Sequence, residues 1–305
     1  MSIVTRFAPS PTGYLHLGHV LSAWTAWHRA RTSGGRFLLR MEDIDPGRCR
    51  PEFAIAIQED LRFLGLDWDG PVRVQTRHMD DYAAVLASLA ARDLIFPCFC
   101  SRADIERHVI ASAPQGAGPP APAPQGGGPQ GTARGPDGGA LYPGTCRDLP
   151  LARRAALMER PHALRLNMAR AAIEGLSFHD AGVGIVAADP AQFGDVVLAR
   201  KETPSSYHLC VTHDDAFQGV NLVTRGEDLR EATHLHRLLQ ALMGWPTPDY
   251  AHHPLLTDNS GRRLAKRDGA VTVQAMRAAG MTRAEILDLA GRQDFGAART
   301  SGPPA

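Results

Sequence analysis

The first 41 residues constrain this chain more than any other stretch. IVTRFA at 3–8 suits a short buried strand, PSPTG is a turn, and LGHVLSAWTAWHRART sets apolar residues at Leu17, Val20, Leu21, Trp24 and Trp27. That spacing predicts a helix, and the glycine pair at 34–35 stops it. RFLLRMEDID then predicts a second strand ending in acidic residues. Strand, helix and strand in this order make a βαβ unit, which demands a parallel sheet and a right-handed crossover. Two more helices are predicted, over 51–65 (Phe53, Ile57, Leu61, Leu64) and 80–94 (Tyr82, Val85, Leu86, Leu89).

A helix that opens directly after the first parallel strand points its unpaired N–H groups at the carboxyl edge of the sheet. Nucleotide phosphates bind there, drawn by the free donors and the positive end of the dipole. His16 and His19 stand at that terminus, and Gly13 and Gly18 would let a ligand approach the backbone. H-x-x-H alone is ambiguous. Zinc would need further ligands that the neighbouring residues do not offer, and packed core histidines would have to be buried with partners.

Bulk properties narrow the rest. With 305 residues the chain can form one large domain or two modest ones. A net charge of +1 neither demands nor excludes a nucleic-acid partner, so any such contact must come from a local patch. No basic segment followed by an apolar one opens the sequence, and no run approaches the roughly 20 apolar residues of a membrane span. A cytoplasmic protein without membrane contact is therefore expected. Five cysteines, an odd number, argue for thiols or a metal site over a disulfide framework. FPCFC and YPGTC supply Cys98, Cys100, Tyr142 and Cys146, a donor set suited to one structural zinc ion, with His108 as another candidate for the fourth place. Cys49 and Cys210 have no clustered partners and read as structural.

Residues 111–140 contain sixteen prolines and glycines in thirty positions, with no aromatic and no long aliphatic side chain. Such a stretch cannot bury enough surface to offset its ordering entropy, so a disordered loop is expected. Beyond it, DVVLARK, SSYHLCVTHDDAFQGV and LVTRGEDL read as strands and turns, and a helix is predicted from about 230 to Met243, stopped by Gly244. DNSGRRLAKRDG at 258–269 is a basic, glycine-punctuated loop, and 296–305 reads as a disordered tail.

The run RFAPSPTGYLHLGH resembles the signature of class I aminoacyl-tRNA synthetases, in their glutamyl/glutaminyl branch. The resemblance implies that His16, Gly18 and His19 contact ATP. It also implies that Arg263-Leu264-Ala265-Lys266-Arg267 stands in for the second class I motif. Lys266 would then stabilise charge on the α-phosphate as pyrophosphate leaves, a role whose loss typically costs about 2.7–4 kcal/mol. Arg263 and Ala265 depart from the usual lysine and serine, which alters donor geometry and removes a hydrogen bond. For an acidic amino acid the resemblance implies a pocket made by Arg6, Phe7, Ala8, Pro9, Ser10, Glu42, Tyr207 and Arg225. A guanidinium there grips a carboxylate and an anion meets the ammonium group.

This likeness runs from Arg6 to about residue 290, and no helical anticodon-reading region follows. With C-x-C…Y-x-x-x-C in its insertion, the chain is similar to the glutamyl-queuosine tRNA(Asp) synthetases. That implies tRNA-independent activation of L-glutamate with ATP and Mg2+, then transfer to the cyclopentenediol of queuosine at the wobble position of tRNA(Asp). A truncated synthetase charging a tRNA 3′ end, and a silent tRNA- or glutamate-binding paralogue, are the alternatives. The expected fold is α/β: a Rossmann-type parallel sheet in two halves (1–97 and 181–245), an inserted zinc subdomain (98–180), and a loop and helical segment (246–295). A monomer is expected.

Overall fold

A computed structural model describes residues 2–111, 134–136, 138–256 and 271–291. The expected βαβ unit is present as β1 (Val4–Phe7), α1 (Leu17–Thr32) and β2 (Arg36–Met41), with β1 and β2 parallel and Arg6 opposite Leu38. The return from α1 is tight: a Cβ on Gly35 would lie 2.0 Å from the Ile3 carbonyl oxygen, so only glycine fits. Next come α2 (Pro51–Phe63), opened by a proline in its first turn, β3 (Arg73–Val74), parallel to β2, and α3 (Met79–Ala91).

The chain then runs through β4 (Ile95–Cys98), α4 (Arg102–Ala111), α5 (Leu151–Leu157), β5 (Ala163–Leu166), α6 (Met168–Ala171), β6 (Ser177–Asp180), β7 (Gly184–Ala187) and β8 (Val197–Ala199), which divide between two further sheets. It closes with α7 (Tyr207–Phe217), β9 (Leu222–Gly226), α8 (Ala232–Met243), β10 (Asp249–His253), α9 (Val273–Ala278) and α10 (Arg283–Leu289).

Sheet membership cuts across the boundary expected at residue 180. β4, β5 and β8 form a small antiparallel sheet, whereas β6, the last strand of the expected insertion, runs parallel to β10 in the order β7-β6-β10-β9. SSYHLCVTHDDAFQGV, expected as strands and turns, is largely α7, capped by the Ser206 hydroxyl on the Leu209 amide. Its buried face includes Thr212, Asp214 and Asp215 beside Leu209, Cys210 and Val211, so the apolar stripe that would betray a helix is broken by acids. Of the stretch 111–140, Ala111 ends α4 and Arg134 bridges Ala140; 112–133 and 137 lie outside the described residues. The 296–305 tail lies outside them too.

β9 stands beside β1. The Val4 amide donates to the Asn221 side chain at 2.8 Å, and the Asn221 amide to the Val4 carbonyl at 3.1 Å. From β1 the chain crosses to β2 on one side, and from β9 to β10 on the other. The strand order reverses between β1 and β9, and open α/β sheets bind ligands outside the carboxyl ends of strands at such a reversal. One core packs β1, α1, β2 and α2 with Val273, Met276, Ile286, Leu287 and Ala290 of the C-terminal helices. Among the described residues no helix is long and apolar enough to cross a membrane.

Candidate active site and cysteine cluster

A cavity of about 440 Å³ opens at that reversal. Arg6, Phe7, Ala8, Pro9, Ser10, His16, Gly18, His19, Glu42, Tyr207 and Arg225 all line it, so every predicted ATP and glutamate residue within the described chain converges there. Lys266, with Arg263 and Ala265, lies outside the described residues. The chain leaves the cavity wall at Leu256 and is described again from Val271, where Thr272 forms a β-bridge with His16 and the Val273 amide donates to the Leu15 carbonyl at 2.8 Å.

The two histidines of HLGH are built into the helix terminus. His16 is the N-cap of α1: its Nδ1 accepts from the Gly18 amide at 3.1 Å, and the His19 Nδ1 accepts from the His16 amide at 3.3 Å. Each Nδ1 is an acceptor, so each ring carries its proton on Nε2. A Cβ on Gly18 would lie 3.0 Å from Cε1 of His16, so glycine makes room for the capping ring.

Behind the pocket runs a buried charge network that the sequence did not announce. Arg6 Nε donates to Asp215 at 2.9 Å and its Nη1 to the Thr224 carbonyl at 3.1 Å. Fully buried Arg40 donates to Asp215 at 2.9 Å, to Gln218 at 3.0 Å and to Glu42 at 3.2 Å. Burial opposes ionisation of Asp215, but the Arg6 and Arg40 guanidiniums overcome it and hold the carboxyl below its ordinary range. At Glu42 burial wins over Arg40 and Arg6, and its carboxyl is pushed up. Beneath this, Asp214 accepts from Arg73, Gln75 and Tyr82 at 2.8–3.0 Å. The one advance signal was the i, i+2 pair Arg40/Glu42, which puts both on one face of β2.

Arg225 is held differently. Its Nη2 donates to the Thr233 hydroxyl at 2.6 Å, its Nη1 meets His236 Nδ1 at 3.2 Å, and its Nε donates to His252 Nε2 at 3.3 Å. Thr233, His236 and His252 carried no signature in the sequence. Ser22 and His253, joined at 2.9 Å, also line the cavity unforeseen.

The cysteine cluster sits apart, in the core of the β4-β5-β8 sheet with Phe96, Ile105 and Tyr142. The ligand atoms of Cys98, Cys100 and Cys146 lie within 4.8 Å of one another, the only such group of three metal-type donors among the described residues. Cys100 and Cys146 are 3.6 Å apart, near the ~3.8 Å separation of two sulfurs around tetrahedral zinc. The Tyr142 hydroxyl is 3.8 Å from the Cys100 sulfur and accepts from the Cys146 amide at 2.7 Å. Burial raises the Cys100 thiol to about 11, whereas Cys146 falls below its ordinary value because Tyr142 and the Phe99 amide outweigh its burial. The donor set fits a closed structural metal site. His108 is not part of it: its Nδ1 meets the Asp104 carbonyl at 2.9 Å on exposed α4.

The family model "tRNA synthetases class I (E and Q), catalytic domain" matches residues 2–300. A glutamyl-Q tRNA(Asp) synthetase of Rhodobacter capsulatus is 47% identical over 95% of this chain and 100% of its own length. One from Nocardia farcinica is 42% identical over 93% of this chain and 82% of its own. The crystal structure of a glutamate tRNA ligase from Elizabethkingia meningosepticum in complex with its amino acid superposes with a TM-score of 0.70 at 26% identity, covering 88% of this chain. The chain spans about half (53%) of that ligase.

Proposed function

From a chain that belongs to the class I glutamyl and glutaminyl tRNA synthetase catalytic family, we propose a ligase that activates L-glutamate with ATP and passes the glutamyl group to queuosine of tRNA(Asp). One observation carries the first half: the HLGH helix terminus and the Arg6, Glu42, Tyr207 and Arg225 side chains share a single cavity. In the activation step a carboxylate oxygen of glutamate attacks the α-phosphorus of ATP, the bond to the β-phosphate bridging oxygen breaks, and pyrophosphate leaves. His16 and His19 offer Nε2–H donors to the triphosphate beside the positive end of α1. Lys266 adds a cation at the α-phosphate. Arg225 and Arg6 receive the carboxylates of the amino acid, and Glu42 the ammonium group.

In the second step a hydroxyl of the acceptor attacks the activated carbonyl and AMP departs. The relatives named for queuosine transfer, one of them matched over its whole length, support the diol of queuosine as that acceptor. An anticodon loop presents the unstacked nucleotide that proteins read on RNA. Activation without tRNA is part of the same reading. So is action as a monomer.

Mg2+ would enter with ATP. Zinc, held by Cys98, Cys100 and Cys146 with Tyr142 completing the set, would cross-link the small sheet without touching the reaction. Two assays test the proposal. Glutamate-dependent pyrophosphate exchange should proceed without tRNA and fail with glutamine. Glutamyl transfer should require queuosine-containing tRNA(Asp), persist when the 3′-terminal adenosine is replaced by its 2′,3′-dideoxy form, and vanish in Lys266→Ala. Equal charging of queuosine-free tRNA would return the assignment to a 3′-end synthetase.

A further inference from the structure

The two arginines of the cavity are held by opposite kinds of partner. Arg6 is ion-paired with Asp215 at 2.9 Å, so its charge is compensated before any substrate arrives. Arg225 is only 5% exposed, yet no carboxylate among the described residues pairs with it. Its three nitrogens donate to a hydroxyl and two imidazoles.

The imidazoles are fixed as acceptors by what lies behind them. β6, β10 and β9 are consecutive strands of one sheet, with His252 directly opposite Arg225 and Asp180 opposite Tyr250. Asp180 Oδ2 lies 2.6 Å from His252 Nδ1, so the proton of that ring sits on Nδ1 and its Nε2 lone pair faces Arg225. Asp180 is itself served by the Gly182 amide at 3.0 Å and Arg230 at 3.7 Å. On the other side His236 accepts from Arg225 at Nδ1, which makes its Nε2 the donor to His208 Nδ1 at 3.1 Å. Burial and the neighbouring Arg225 charge depress both rings, His252 to about 4 and His236 well below its ordinary value. They stay neutral where the enzyme works.

We propose that the Asp180–His252–Arg225 chain across three adjacent strands presents an oriented, uncompensated guanidinium to the cavity, and that His252 is a positioning residue for recognition of the substrate's carboxylate. This inference rests on the glutamate reading above and deepens it. A buried cation whose direct partners are neutral keeps more of its attraction for an anion than one paired with a carboxylate. A carboxylate substrate satisfies it, whereas an amide of the same shape leaves the charge unmet.

The test uses the intact chain and pyrophosphate exchange. His252→Leu removes the Nε acceptor and should raise the glutamate KM roughly 10- to 100-fold, the range of one charge-assisted hydrogen bond. The ATP KM and kcat should change little. His252→Gln, whose side-chain amide can place an acceptor near the Nε2 position, should recover most of the loss. Thr233→Val deletes a second neutral acceptor with little change of volume and carries the same expectation if His252→Leu melts too early to assay. Thr233→Asp, which would compensate the cation, should lower the preference for glutamate over glutamine. Unchanged glutamate KM in folded His252→Leu and Thr233→Val, or equal damage from Leu and Gln at 252, overturns the positioning role alone. A wild-type enzyme silent with glutamate but active with another amino acid overturns the glutamate reading and this inference with it.

Discussion

At the scale of single residues, the pocket depends on charges that never reach it. Arg40 has no exposed surface, yet it joins Glu42 in the cavity wall to Asp215 behind Arg6. Replacing Arg40 by methionine keeps most of the volume but leaves two buried carboxylates short of a cation. A loss of about 3–5 kcal/mol in urea unfolding is expected. His252 gives a prediction in pH. Burial and then Arg225 depress its pKa to about 4 from 6.5, against the pull of Asp180, with Arg230 adding to the depression. Between those values the unfolded chain binds the extra proton and the folded one does not. Stability therefore falls as pH drops from about 6.5 towards 4, by up to about 3 kcal/mol, and rises again with pH. Denaturation midpoints across that window should show the slope, and His252→Gln should flatten it. Sequence patterns reached the residues that line the cavity and missed those that hold them. Arg6, Glu42 and Arg225 belong to motifs quoted whole, whereas Asp180, His236 and His252 matter only through pairings between strands far apart in the chain.

Elements were legible where their burial is one-sided. The first strand, α1, β2, α2 and α3 follow their apolar spacing to within a few residues, because each lays one face on a core. α7 escaped because its inward face carries Asp214 and Asp215, which serve Arg6, Arg40 and Arg73. A functional helix of this kind hides its period behind the polar groups it buries. The sharpest element-level constraint is the return from α1. Gly35→Ala drives a Cβ into the Ile3 carbonyl, and a loss of about 1–3 kcal/mol in thermal or urea unfolding is expected. Gly34→Ala meets no atom within 4 Å, so only its φ of +65° opposes it, and the milder cost should separate the two glycines.

Across the whole molecule, the cavity and the cysteine cluster belong to different cores. The cluster lies with Phe96, Ile105 and Ala163, and the cavity between the packing of β1, α1 and β2 and that of α7, α8 and β10. Were a metal held by Cys98, Cys100 and Cys146, its removal should therefore act locally. After chelation, hydrogen exchange is expected to accelerate in β4, α4 and residues 138–148 while glutamate-dependent pyrophosphate exchange continues. Cys146→Ser should reproduce that pattern without chelator, and simultaneous loss of both signals would contradict the separation. The spacing of the cysteines was readable in advance, and so was the sheet type. The allotment of strands to sheets was not, since β6 and β8 exchange places relative to chain order and only long-range pairing decides it.

The β-bridge between His16 and Thr272 has a consequence for how the protein comes into being. The helix that His16 caps packs with Val273, Met276, Ile286 and Ala290, so its support comes from residues far downstream in the chain. On the ribosome, the motif nearest the start of the chain stays incomplete until roughly the two-hundred-and-ninetieth residue has emerged. A nascent chain shorter than that accordingly holds the candidate site unfinished, and the cavity becomes a late product of synthesis.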